Sequence, residues 1–397
     1  MASPRNSTVP TSTNAESGPP QPTETLSSLS AAVSESTTLI GKDTDSSSIA
    51  SSSAAASSIH NPALEVDTRN DERSDADSTL DSIRDSTTSL RASVYDYVEE
   101  NGRTFHKYKE GKYVLPNDAI EQNRLDLQHQ MCLILLEGRL HLAPIGSHPH
   151  NVLDVGTGTG IWAIDFARVT GTDLSPIQPD FVPANCQFEV DDAEDDWTFS
   201  AKFDFVHMRG MMTCFSDPRS ILVKAYVAIA PGGYLEMQDS VFPMHCHDDT
   251  LQDTALDVWG KACVEGAAKI GRPWTNTPNY RGWMIELGFE DVKEKIFEVP
   301  INTWPRGRKQ KELGLWWQAD LLEALGASTA ILTRAMGWTP EQVEVHLVQV
   351  RKDIKNRAVH GYMPMWTHRL GQEAELYRRR LTKLFGHPCF GPHSWEN

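Results

Sequence analysis

Apolar residues come along this chain in short runs broken by glycine and acidic residues, the pattern of buried strands alternating with helices. Val152-Leu153-Asp154-Val155 leads into Gly156, Gly158 and Gly160, predicting a strand, a tight turn and a helix from about Thr159. Val169 to Asp173 reads as a second strand, Phe188 to Asp192 as a third, Phe203 to Met208 as a fourth and Tyr234 to Met237 as a fifth. Ahead of the fifth, Asp217-Pro218 opens a helix with Ile221, Ala225 and Ile229 on one face, and Pro231-Gly232-Gly233 stops it. This alternation predicts an α/β fold with a doubly wound sheet and added helices.

Flanking segments read as parts of the same domain. Upstream, Asn117 or Asp118 caps a helix running to about Leu142, with Ile120, Leu127, Met131, Ile134 and Leu135 facing inward. Its polar side carries Arg124, Gln128 and His129, and is either a lid over a site or a solvated surface. Downstream, Leu256, Trp259, Cys263, Ala267 and Ile270 have helical spacing and read as core. A strand is expected near Val292 to Val299, followed by a Trp-rich stretch with Trp304, Trp316 and Trp317, read first as packing and second as an acceptor pocket. Thr339-Pro340-Glu341-Gln342 has the form of a capping box opening a helix that buries Val343, Leu347, Val350 and Ile354.

Composition divides the chain of 397 residues. Residues 1–92 are rich in Ser, Thr, Ala and Asp, and no Phe, Trp or Tyr precedes Tyr95. Such a segment buries too little apolar surface to offset its chain entropy, so a disordered tail is expected there. The organised domain is expected over 93–366, with a charged C-terminal helix or tail over 367–397. The net charge of −17 argues against a protein that grips nucleic acid by its phosphates. Arg378-Arg379-Arg380 reads as the solvated face of a terminal helix. No segment has membrane-spanning length and no signal-peptide core is present, so an intracellular protein, nuclear or cytoplasmic, is expected. The six cysteines form no C-x-x-C pair, which suits reduced thiols. His245-Cys246-His247-Asp248-Asp249 has metal-capable residue types, but adjacent ligands seldom converge on one ion, so it reads as a polar loop and no metal is expected.

The glycine turn carries the chemistry. Glycine lets backbone approach a ligand without a Cβ penalty, but the third glycine falls one residue too early for a dinucleotide fingerprint begun at Gly156. The looser G-x-G-x-x-A form is met by Gly158, Gly160 and Ala163, which keeps a nicotinamide-dependent oxidoreductase as the less favoured reading. The D-x-G-x-G-x-G pattern from Asp154 resembles the first motif of class I S-adenosylmethionine (SAM) methyltransferases. In that reading Asp154 suits the cofactor's cationic amino end, Asp173 the ribose hydroxyls, and Asp191 and Asp192 the adenine amino group. Gly156, Thr157, Gly158, Gly160, Leu174 and His207 complete the expected cofactor set. His207 and His129 are the candidates for taking a proton from the acceptor.

Longer segments narrow the resemblance. Gly156-Thr157-Gly158-Thr159-Gly160-Ile161-Trp162-Ala163-Ile164-Asp165, Asp173-Leu174-Ser175-Pro176-Ile177-Gln178-Pro179, Tyr113-Val114-Leu115-Pro116-Asn117-Asp118, Arg124-Leu125-Asp126-Leu127-Gln128-His129 and Gly337-Trp338-Thr339-Pro340-Glu341 resemble the fungal LaeA-like, or UMTA-type, methyltransferases. The resemblance runs from about Tyr95 to Met365. It implies a Rossmann-like SAM methyltransferase acting on a small secondary metabolite or a regulatory protein. It also implies possible velvet-type protein partners, and, as an alternative, a methyltransferase-like scaffold with little turnover. Two departures stand out. Phe166-Ala167-Arg168 passes straight into Val169 where the family carries about six more residues, which places Asp173 at risk. After Met365, Trp366 to Leu370 leads into a charged helix where a final strand would be expected.

Overall fold

The computed structural model describes residues 96–371 except His148 and Ala167. The expected N-terminal tail, and the C-terminal segment from residue 372, lie outside the described residues.

A hairpin opens the domain, β1 Tyr97–Glu100 against β2 Arg103–His106. Helix α1, Ala119–Leu135, begins at Asp118, whose side chain accepts from the Glu121 amide. It ends seven residues before the expected Leu142, because Glu137 and Gly138 both turn to positive φ. Its expected inner face is only partly right: Met131 and Leu135 are buried, Leu127 is half-buried, and Ile120 is 49% exposed.

The sheet is built from β3 Val152–Val155, β4 Val169–Asp173, β5 Cys186–Val190, β6 Phe203–Arg209 and β7 Ile229–Ser240. These five are parallel in the order β5-β4-β3-β6-β7. The chain thus moves outward from β3 to β5 and returns to lay β6 on the other side of β3. That reversal opens a crevice at the carboxyl ends of β3 and β6, where doubly wound sheets bind ligands.

The short connection after the glycine turn is accommodated by shortening the helix. Helix α2 spans only Ile161–Phe166, starting two residues later than expected. It still buries Trp162 and Ala163 against the sheet, and β4 pairs with β3 in parallel. Glycines let the turn settle closely on the sheet: a Cβ at Gly160 would lie 2.4 Å from the Phe188 ring of β5.

Helix α3, Pro218–Ala228, starts at the Asp217 cap as expected. It stops at Ile229, and β7 begins there rather than after the Pro-Gly-Gly stretch. A two-residue strand, β8 His245–Cys246, replaces part of the expected polar loop. The remaining polar groups of that loop find neighbours: Asp248 pairs with His360 and His247 with Glu298. Among the described residues no group of three or more His, Cys, Asp or Glu is placed to hold a metal ion, and no helix is long and apolar enough to cross a membrane.

The second half of the domain consists of α4 Ala255–Lys269, α5 Tyr280–Leu287, β9 Glu290–Pro300, α6 Arg308–Ala327, α7 Thr329–Met336 and α8 Pro340–Lys355. Both halves of the Thr339/Gln342 capping box are formed, and Val343, Leu347, Val350 and Ile354 are fully buried. The last strand, β10 Gly361–Gly371, corrects the sequence reading, which placed a charged helix after 366. It lies between β7 and β9, antiparallel to both, so the domain continues at least to Gly371.

Candidate functional site

The crevice at the carboxyl ends of β3 and β6 widens into one cleft of about 200 Å³. One end is polar and made by the glycine turn with the ends of β4 and β5. The other is apolar and made by Phe242, Trp259, Trp274, Trp317 and Leu321.

At the polar end Gly158 has φ +58°, a backbone conformation suited to glycine. Its amide donates to Asp173 Oδ2 at 2.8 Å, and the Ser175 amide donates to Oδ1 at 2.9 Å. Asp173 has no cation partner among the described residues, and burial raises its pKa to about 6. Asp191 also lines the cleft, and burial raises its pKa too. Asp192 is 3% exposed, with Lys112 Nζ at 3.2 Å from Oδ2. Lys112 reaches there from the loop after the hairpin, and Glu194 also accepts from it at 3.0 Å.

Gly156, Gly158, Asp173, Leu174, Asp191 and Asp192 line the cleft, Asp173 from the end of β4. Four expected cofactor residues do not line it: Asp154, Thr157, Gly160 and His207. Asp154 is 3% exposed, with Oδ2 accepting from Thr157 Oγ1 and Oδ1 from His207 Nδ1, each at 2.7 Å. Both oxygens are spent on the turn and on β6, so the carboxylate shapes the turn instead of facing a ligand. His207 is fully buried, its ring stacked on Trp162 with centroids 3.8 Å apart. Burial lowers its pKa against the opposing pull of Asp154.

His129 is also removed as a base. Its Nδ1 accepts from Arg209 at 3.0 Å, so Nε2 carries the hydrogen and donates to Asp165 at 3.0 Å. Burial and the Arg209 charge lower its pKa.

The polar stripe of α1 does turn toward the cleft, as the lid reading requires: Glu121, Arg124, Leu125 and Gln128 line it. Arg124 donates to both oxygens of Glu121, at 3.0 and 2.7 Å, and through Nη1 to Asp320 Oδ1 at 2.9 Å. All three are under 10% exposed. Burial, reinforced by the Glu121 charge, raises the Asp320 pKa to about 6 against the pull of Arg124.

Sequence reasoning missed Asp320, Arg209, Trp259 and Trp274 as cleft residues. Trp259 and Trp274 serve both core and cleft, and nothing in local spacing separates the two. Of the three tryptophans weighed as an acceptor pocket, only Trp317 lines the cleft. Trp304 donates its indole N–H to the Gly361 carbonyl, and Trp316 packs against the core.

Residues 126–294 match the family model described as "Methyltransferase domain". The chain is 39% identical over 285 residues to methyltransferase pytC of Aspergillus terreus, covering 70% of this chain and 88% of that protein. It is 32% identical over 295 residues to the probable methyltransferase tdiE of Emericella nidulans, covering 72% and 92%. It is 36% identical over 291 residues to the secondary metabolism regulator LAE1 of Cochliobolus heterostrophus, covering 69% and 95%. The fold is that of a class I SAM-dependent methyltransferase. Within that class, the chain belongs to the fungal LaeA-like family.

The residues present fit the family's cofactor. Six carboxylates and three cations line the cleft, and Asp173 and Asp191 face it beside the half-buried backbone of Gly156 and Gly158. An acidic cleft of this kind matches a ligand bearing a sulfonium, an ammonium and ribose hydroxyls.

Proposed function

We propose that this protein transfers the methyl group of SAM to an apolar small molecule held at the aromatic end of the cleft. The observation that carries this reading is the continuity of the cleft, which joins the glycine turn and Asp173 to Phe242, Trp259, Trp274 and Trp317.

SAM supplies a methyl group on a sulfonium, which leaves by in-line displacement. Alignment and exclusion of water provide much of the acceleration in such a step. Here α1 covers the cleft, and Arg124 ties it to α6 through Asp320. The aromatic walls hold an apolar acceptor and keep water from it. The acceptor heteroatom gains a bond to the methyl carbon as the sulfur–carbon bond breaks, and its proton goes to a base. With both histidines engaged elsewhere, that base is Asp320, the buried carboxylate on the aromatic side with Oδ1 fixed by Arg124. A pKa near 6 suits a proton acceptor working near neutral pH.

The test is formation of S-adenosylhomocysteine from SAM by the full chain, offered a panel of hydroxylated and amino aromatic compounds. Turnover should fall about 10²-fold or more in Asp320→Asn with SAM affinity kept. A protein that binds SAM yet turns over none of the panel would favour the second reading, a regulatory scaffold, which the names of the regulator relatives support.

A further inference from the structure

A second pocket, sharing no residue with the cleft, lies where β9 and β10 pair. Lys293 stands opposite Arg369 and Lys295 opposite Thr367. Side chains alternate along a strand, so these four share one face, and with Arg139, Leu142 and Glu294 they line a surface pocket of about 320 Å³.

Two features set this pocket apart. Like charges directly opposite each other weaken a strand pair, yet Lys293 faces Arg369 across the ladder, with Glu236 of β7 on the other side of Arg369, in a chain of net charge −17. Lys293 is paired with Asp291, and Arg369 stands opposite the buried Glu236 of β7. Among the described residues Arg139, Lys295 and Arg369 form no ion pair with a carboxylate. Arg139 Nε donates to the Leu136 carbonyl at 3.0 Å, Arg369 Nη1 donates to the Leu142 carbonyl, and Lys295 Nζ sits 4.5 Å from the Phe297 ring centroid. Of the neighbouring acids, Glu294, which also lines the pocket, pairs with His368 at 3.0 Å and Glu137 with Lys309 at 3.1 Å, while Asp291 pairs with Lys293 itself at 2.7 Å. Backbone carbonyls thus orient two guanidinium groups without neutralising them, leaving their remaining N–H groups for a ligand.

We propose that this pocket binds a phosphate monoester, held by Arg139, Arg369, Lys293 and Lys295. Guanidinium forks match phosphate oxygens bidentately, and the lysines add point charge. The same chemistry is presented by a free phosphorylated metabolite and by a phosphorylated side chain.

The experiment titrates the full chain with inorganic phosphate and, separately, with a short phosphoserine peptide. Ionic strength is held constant with chloride, and binding is read by ³¹P line broadening and thermal shift. Both probes should bind, and binding should weaken at least threefold in each of Arg139→Gln and Lys295→Gln. These residues are solvent-exposed, so SAM affinity should stay within twofold in both variants. Tighter binding of the peptide than of phosphate would assign the source to a phosphorylated protein, and equal binding to small phosphates. Phosphate no better than chloride, or affinity unchanged in both variants, would overturn the proposal.

Discussion

Asp154 Oδ1 and His207 Nδ1 lie 2.7 Å apart, in register on β3 and β6. Sequence motifs cast one as a cofactor ligand and the other as a catalytic base. The structure makes them a buried pair that locks the strand bearing the glycine turn to its neighbour. His207→Leu should therefore act on stability, leaving a buried carboxylate oxygen without its donor at a cost of about 1–3 kcal/mol. Chemical denaturation checks this. SAM affinity, measured below the new midpoint, should change little.

Arg124 is the hub between the lid and the body of the domain. Arg124→Met would leave Glu121 and Asp320 buried without their cation, and breaking a buried ion pair in this way costs about 3–5 kcal/mol. The loss should shrink on adding Asp320→Asn, and a double-mutant cycle by urea unfolding measures that coupling.

Stability should respond to pH through Asp239. It is fully buried, Oδ1 accepts from the Met212 amide at 3.1 Å, and burial raises its pKa from 3.8 to about 7. The folded state therefore holds this proton where the unfolded state has lost it. Stability should fall as pH rises from about 4 to about 7, by a few kcal/mol at roughly 1.4 kcal/mol per unit. Asp239→Asn should flatten that part of the profile.

Glu194 works in the opposite direction. It accepts from Ser216 through both amide and hydroxyl and pairs with Lys112 and Arg272, which bring its pKa down to about 2 despite burial. Its contribution is present above about pH 4.5 and lost as pH falls toward 2. Glu194→Gln should lower the thermal midpoint at pH 7 and have little effect near pH 2.

Much of this fold was legible because local signals agreed with the global pattern. Helix α8 announced itself through its capping box and its four buried apolar positions, and β3 through its apolar run into glycine. Strand β10 was hidden because Trp366 to Leu370 reads into a charged segment, and Pro364 ahead of it also argues against a central strand. The structure resolves this, because pairing with β7 begins only at Met365, so the missing N–H is not needed there. In the site, the backbone elements were readable and the side-chain roles were not. Asp154 finds its partner fifty-three positions away, and Asp320 sits on a helix whose polar residues gave no sign of turning inward. The polar face of α1 was ambiguous from spacing alone, since a lid and a solvated surface look alike until the cleft beneath is seen.

The central claim is that the glycine turn and Asp173 hold SAM despite the six-residue helix behind them. Calorimetric titration of the full chain with SAM, beside Gly158→Asp, tests it most directly. The substitution adds a side chain where φ is +58° and Leu125 lies 3.2 Å from the added Cβ, and it sets a carboxylate beside Asp173. The account predicts micromolar binding by the native chain that is lost in the variant. A folded native chain that binds no SAM, or a variant that binds it equally well, would contradict it.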